Sequence, residues 1–116
     1  MQKLVKIFLI SLVVLVVATN APVFADSVTN LDLERGAAVF EANCAGCHVG
    51  GGNIVRRRKN LKLKALQRNQ MDTQEAIVSI VTYGKGVMSA YGDKLSPQQI
   101  SDVSAYVLQK AEQNWK

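Results

Sequence analysis

Cys44 and Cys47 enclose two residues and are followed directly by His48. Two thiols at this spacing reach the two vinyl groups of one porphyrin and close two thioether bonds. The imidazole of the next residue then projects under the same ring, toward its metal. Cys44-Ala45-Gly46-Cys47-His48 is therefore a covalent haem-attachment pattern, and iron comes with it. Three other chemistries use some of these residues. A redox dithiol is also C-x-x-C but expects a βαβ setting, and no alternating strand pattern of useful length is present. A structural zinc site takes four ligands, whereas the chain offers 2 Cys and 1 His. A plain disulfide would leave His48 without a task.

A single histidine excludes bis-imidazole ligation within one chain. The remaining soft donors are Met71 and Met88, because Met1 falls in a segment expected to be removed. Met71 directly precedes a helix start and reads as surface or core filler. Met88 lies forty residues beyond His48, in a loop between two helical patterns, where Gly84 and Gly86 relax the steric limits on the backbone. A haem creates a demand for a sixth ligand, and Met88 is the residue expected to meet it. His48 plus Met88 fills both axial positions. Such an iron has no place for oxygen, peroxide or substrate, so the expected function is one-electron transfer, with no catalytic residue. A peroxidase-like enzyme is the rival, and it needs a weakly held sixth position. Thioether sulfur favours Fe(II), which raises the potential.

The elements that must position these residues are helical. Residues 31–43 predict a helix running into Cys44, with Leu33, Ala37 and Phe40 at helical spacing and Gly36 as a flat spot for close packing. Residues 49–53, Val-Gly-Gly-Gly-Asn, read as a loop. Leu61, Leu63 and Leu66 predict a short helix inside the basic stretch that follows. Asp72-Thr73-Gln74-Glu75 is a capping-box type of start, followed by the stripe Ala76, Ile77, Ile80, Val81 and a stop at Gly84. Ser96-Pro97-Gln98-Gln99 is the clearest start, with serine at N-cap, proline at N1 and glutamine at N3. Ile100, Val103, Val107, Leu108 and Ala111 continue that helix as an apolar stripe. There are no internal repeats, and the expected class is all-α.

Residues 1–25 read as a secretory signal: Lys3 and Lys6, then the apolar run Ile7 to Val17 broken only by Ser11, then Val23-Phe24-Ala25 as a cleavage site. The run is too short for a membrane-spanning helix, which needs about 20 apolar residues. The 116-residue chain has a formal charge of +5. Cleavage leaves one domain, residues 26–116, with 12 basic and 9 acidic side chains and a charge of +3. A domain this small has a marginal apolar core and needs a staple, for which a large cofactor serves. Export to a periplasm-like or lumenal space also disfavours nucleic acid as a partner.

The chain resembles the class I c-type cytochromes, most closely the cytochrome c6 group. The matching pieces are Gly36-Ala37-Ala38-Val39-Phe40, the haem motif, Gly50-Gly51-Gly52-Asn53, Tyr83-Gly84-Lys85-Gly86-Val87-Met88, Leu95-Ser96-Pro97, and the tail Ala105-Tyr106-Val107-Leu108 through Ala111-Glu112-Gln113-Asn114-Trp115-Lys116. They cover nearly all of residues 26–116. The resemblance implies the cytochrome c fold, about four helices around one covalent haem c, with the terminal helices crossing where Gly36 and Phe40 meet Tyr106. It further implies a soluble monomer without stable membrane insertion. Its partners would be the cytochrome bf complex as donor and photosystem I as acceptor, in the thylakoid lumen or a periplasm. A respiratory terminal oxidase is the alternative acceptor.

Two departures from the family pattern stand out. Ile80 occupies the position eight before the axial methionine, where glutamine is typical; the resemblance implies a lowered potential, as in variants with an aliphatic residue there. Ser89 stands where proline commonly follows the methionine, which loosens the loop. The stretch from Arg56 to Arg68 is a third unusual feature, with seven cations and no acid. Arg56-Arg57-Arg58-Lys59 is open to three readings: a solvated face, a docking patch for an acidic surface on a membrane complex, or partners for haem propionates.

Overall fold

The computed structural model describes residues 31–116; the expected signal segment and the polar start of the mature chain lie outside the described residues. Five α-helical segments follow in order: α1 (Leu33–Asn43), α2 (Ala45–His48), α3 (Leu63–Arg68), α4 (Gln74–Tyr83) and α5 (Pro97–Glu112). Short 3₁₀ turns at Val49–Gly51 and Arg57–Lys59 connect α2 to α3. No strand occurs among the described residues, only an isolated bridge between Lys85 and Met88. The all-α expectation holds, and no helix among the described residues is long and apolar enough to cross a membrane.

Local chemistry sets the helix ends. The Asp32 carboxylate accepts from the Arg35 N–H at 2.8 Å, so α1 begins two residues later than the apolar pattern suggests. For α4 the cap is Thr73, whose hydroxyl accepts from the Ala76 N–H. The Ser96 capping box is complete in both directions: Gln99 N–H donates to Ser96 Oγ at 3.2 Å, and Ser96 N–H donates to Gln99 Oε1 at 2.9 Å. At the far end of α5 the chain closes a Schellman motif. Trp115 N–H donates to Lys110 O, Asn114 N–H donates to Ala111 O, and Asn114 takes a left-handed φ of 56°. The predicted helix in the basic stretch forms as α3 alone, starting at Leu63.

The core joins α1, α4 and α5 through Val39, Phe40, Ile77, Val81, Ile100, Val103 and Val107. Where α1 crosses α5, a Cβ built on Gly36 would lie 2.4 Å from Asp102 O and 2.9 Å from Tyr106 Cβ. Only glycine lets the backbones approach this closely. Phe40 and Tyr106 then pack with ring centroids 5.5 Å apart, as the resemblance implied. Asp102 lies fully buried in the same crossing. Its carboxylate accepts from Arg35 Nε, from the Asp32 N–H at 3.0 Å and from Gln98 Nε2 at 3.0 Å. Burial works against its charge, but the Arg35 guanidinium and the two other donors outweigh that and hold its pKa below the usual carboxylate range.

Candidate haem site

A cavity of about 540 Å³ opens between these elements, within the range of cofactor pockets. Phe40, Leu66, Ile77, Val81, Val103 and Val107 make much of its wall apolar. The sequence-predicted residues all line it. Cys44 comes from the end of α1, Cys47 and His48 from α2, and Met88 from the loop after α4. Both cysteines are free thiols, Cys44 half-buried and Cys47 exposed. Burial, with the nearby Cys47 second, pushes the Cys44 thiol up to about 11, so it is neutral at physiological pH.

His48 Nδ1 lies 2.9 Å from Gly52 O. A carbonyl only accepts, so Nδ1 carries the proton and Nε2 keeps the lone pair a metal requires. The glycine-rich turn creates that carbonyl position, with Gly50 at φ 57° and Gly51 at φ 75°. Trp115 packs from behind: a Cβ on Gly51 would fall 2.4 Å from its indole, and its Nε1 donates to Leu61 O at 2.9 Å. Phe40 completes the stack at 5.2 Å. The C-terminal tail thus backs the histidine turn.

On the methionine side, Gly84 ends α4 at φ 70°, and a Cβ there would meet Met88 O at 2.6 Å. Lys85 and Met88 exchange backbone hydrogen bonds of 3.1 Å across a tight turn with Gly86 at φ 59°. Tyr91 N–H donates to Val81 O, and its hydroxyl donates to Asn43 O at 3.0 Å, tying the loop to α4 and to the end of α1. Burial raises the Tyr91 pKa and keeps it a donor.

Ile80 lines the cavity too. So does Met71, which its place directly before a helix start assigned to the surface or to core filler; its neighbourhood depends on how α3 returns to the core, and local pattern carries no sign of that. Asn53, Arg56, Lys59 and Asn69 also reach the wall. Among the described residues, no three His, Cys, Asp or Glu side chains converge to hold a bare metal ion. The donor set fits a ring instead: two thiols for its edge, one imidazole, a thioether, and apolar walls for the macrocycle.

Comparison with known proteins agrees. The family model described as cytochrome c oxidase, cbb3-type, subunit III matches residues 31–107. A cytochrome c6-like protein of Nostoc sp. is 47% identical over 116 residues, covering 100% of both chains. Cytochrome c6 of Aphanizomenon flos-aquae is 53% identical over 85 residues, covering 73% of this chain and 98% of that protein. The solved structure of cytochrome c6C from Synechococcus sp. is 59% identical, with a TM-score of 0.67, over 68% of this chain and 96% of that one.

Proposed function

The chain belongs to the cytochrome c family, among the cytochrome c6 proteins, and on that premise we propose that Cys44 and Cys47 form the thioether bonds, that His48 and Met88 ligate the iron, and that the protein carries electrons from the cytochrome bf complex to photosystem I. It carries one covalent haem c and is an electron carrier, not an enzyme. The observation that supports the residue roles is the single cavity onto which Cys44, Cys47, His48 and Met88 all converge.

When bound, the haem supplies a one-electron iron couple. The protein's own groups set its terms. Gly52 O orients His48. The Lys85–Met88 turn holds the Met88 backbone at the cavity wall. The soft sulfur and the apolar wall both favour the ferrous state. With Met88 as a ligand, the iron would keep no position for a peroxide or oxygen molecule. The mature domain begins at Asp26 after export, in a thylakoid lumen or a periplasm, and N-terminal sequencing of the purified protein checks that start.

Two measurements test the site. The ferric protein should show the weak red charge-transfer band of thioether-bound iron. Met88→Ala should lose it, while Met71→Ala keeps it; the reverse pattern assigns Met71 instead. Flash-induced oxidation of photosystem I with the reduced protein present tests the partner, and an absence of re-reduction would remove that acceptor.

Ile80 favours a second reading, a low-potential variant of the same carrier. Its aliphatic side chain contributes no dipole at the cavity wall, where the family pattern places an amide. Ile80→Gln should raise the midpoint potential. A wild-type potential below that of the donor complex selects the second reading.

A further inference from the structure

Asn114 and Trp115 both stand at positive φ, 56° and 58°. Asn114 is at home there, as the left-handed residue that closes α5. For a bulky aromatic residue the left-handed region is an outlier, and such strain persists only where the surroundings over-determine it. Three sets of contacts do so. Trp115 N–H donates to Lys110 O at 2.7 Å. The indole packs with its centroid 5.2 Å from that of Phe40, and edge-on to Tyr106 at 6.3 Å. Its Nε1 donates to Leu61 O at 2.9 Å. The strained turn therefore sets the indole back over Gly51, where any side chain on residue 51 would collide with it.

From the indole a chain of hydrogen bonds leads to His48. Leu61 is held at both of its polar backbone groups: its carbonyl accepts from Trp115 Nε1, and its N–H donates to Gly51 O at 2.8 Å. Next in the chain is Gly52, whose N–H donates to Val49 O at 2.9 Å and whose carbonyl accepts from His48 Nδ1 at 2.9 Å. On the far side Ile54 N–H donates to Cys47 O at 3.0 Å. Three successive glycines give this turn no side chains of its own to stiffen it, so its position comes from these bonds. Without the indole N–H, Leu61 keeps Gly51 but loses its anchor on the C-terminal tail, and the Gly51–Gly52 peptide is freer to move off the imidazole.

We propose that Trp115 is a positioning residue for the iron-binding imidazole, acting through Leu61 and Gly51 on the Gly52 carbonyl that holds His48. The inference rests on the reading that His48 ligates the iron. A hydrogen bond donated from Nδ1 pushes electron density toward Nε2 and favours ferric iron. The tail thus holds the potential down. Trp115 does not line the cavity, yet the end of the chain is part of what sets the iron couple.

The test joins two readouts on the purified holoprotein: the midpoint potential, and solvent exchange of the His48 Nδ1–H followed by proton NMR in the ferrous state. Trp115→Phe keeps an aromatic ring in the stack and removes the N–H. It should shift the equilibrium about twofold to fivefold toward the ferrous form, a rise of about 20–40 mV at about 59 mV per tenfold for one electron. Exchange of the ring proton should quicken about fivefold, the worth of one neutral hydrogen bond. Ile100→Val is the control: it trims one carbon from a core position of α5 that is off the cavity wall, at a comparable cost in stability. It should leave both readouts at wild type. A Trp115→Phe protein that keeps the wild-type value of either readout overturns the proposal, and so does an Ile100→Val protein that moves as far. Loss of the red thioether band in Trp115→Phe would place the effect in the methionine loop and overturn it as well. A wild-type holoprotein with no imidazole on its iron would instead end the underlying reading, before any variant is made.

Discussion

Replacing Gly36 by alanine pits two effects against each other at one position. Residue 36 is inside α1, where alanine is favoured over glycine by about 1 kcal/mol. Against that stands the crossing with α5. The new methyl would lie 2.4 Å from Asp102 O, 2.8 Å from Asp102 C and 2.9 Å from Tyr106 Cβ. Two of these atoms are backbone, so no side-chain rotation relieves them. Normal contact requires α1 and α5 to separate by about 1 Å, since non-bonded carbon contacts sit near 3.5 Å. That movement also loosens Phe40 against Tyr106 and stretches the hydrogen bonds to the buried Asp102. Overpacking against rigid atoms costs about 3 kcal/mol, the upper part of its usual range. The steric term wins, and Gly36→Ala should destabilise by about 2 kcal/mol, or about 8–16 °C in Tm for a domain of this size. Ala38→Gly, on the exposed side of the same helix, is the control and should cost no more than about 1 kcal/mol. Thermal melts of both holoproteins followed at 222 nm give the comparison. A Gly36→Ala melt at or above wild type would refute the close-crossing account.

Three further outcomes follow from the same contacts. The depressed pKa of Asp102 contributes stability that is fully present above its ordinary value of 3.8 and is lost as pH falls through the lower folded value; Asp102→Asn should flatten that acid limb in denaturation curves measured from pH 6 to pH 2. Trp115→Phe should cost about 1 kcal/mol through the lost bond to Leu61 O, and Trp115→Ala about 3–5 kcal/mol through the emptied space over Gly51, both read by urea titration. Gly84→Ala meets both a left-handed φ of 70° and the Met88 carbonyl, so it should weaken the red thioether band and admit carbon monoxide to the reduced protein, whereas an unchanged band would show that the loop tolerates the shift.

Much of the site was legible because its rules are short-ranged. The spacing Cys44-x-x-Cys47-His48 is a statement about one turn of chain, and the structure brings all three residues to one cavity. Ser96-Pro97-Gln98-Gln99 announced its helix, since a capping box is closed within four residues. Gly84 and Gly86 marked left-handed backbone, and both have it. Met88, reached by elimination among few sulfur donors, lines the same cavity, as does Met71. The limits of α1 and α4 were less sharp, because Asp32 and Thr73 compete with their neighbours for the capping role.

The residues that escaped sequence reading are those whose neighbours lie far along the chain. Asp102 falls among the apolar positions of α5, and nothing within its own helix signals that Arg35 and Asp32, 67 and 70 residues earlier, will satisfy it. Trp115 gains its role from Leu61, 54 residues away, and from the missing side chain of Gly51. The basic run reads as uniform charge until a 3₁₀ turn, held by Asn53, separates Arg56 and Lys59 from the two arginines between them. Composition and spacing by themselves pointed to the chemistry of attachment, since Cys44, Cys47 and His48 lie within one turn of chain and the other users of C-x-x-C need a strand setting or further ligands that the sequence does not offer. Which side chains wall the cavity, and which of the cations reach it, was decided by packing alone, because a helix crossing brings together groups that no local pattern relates.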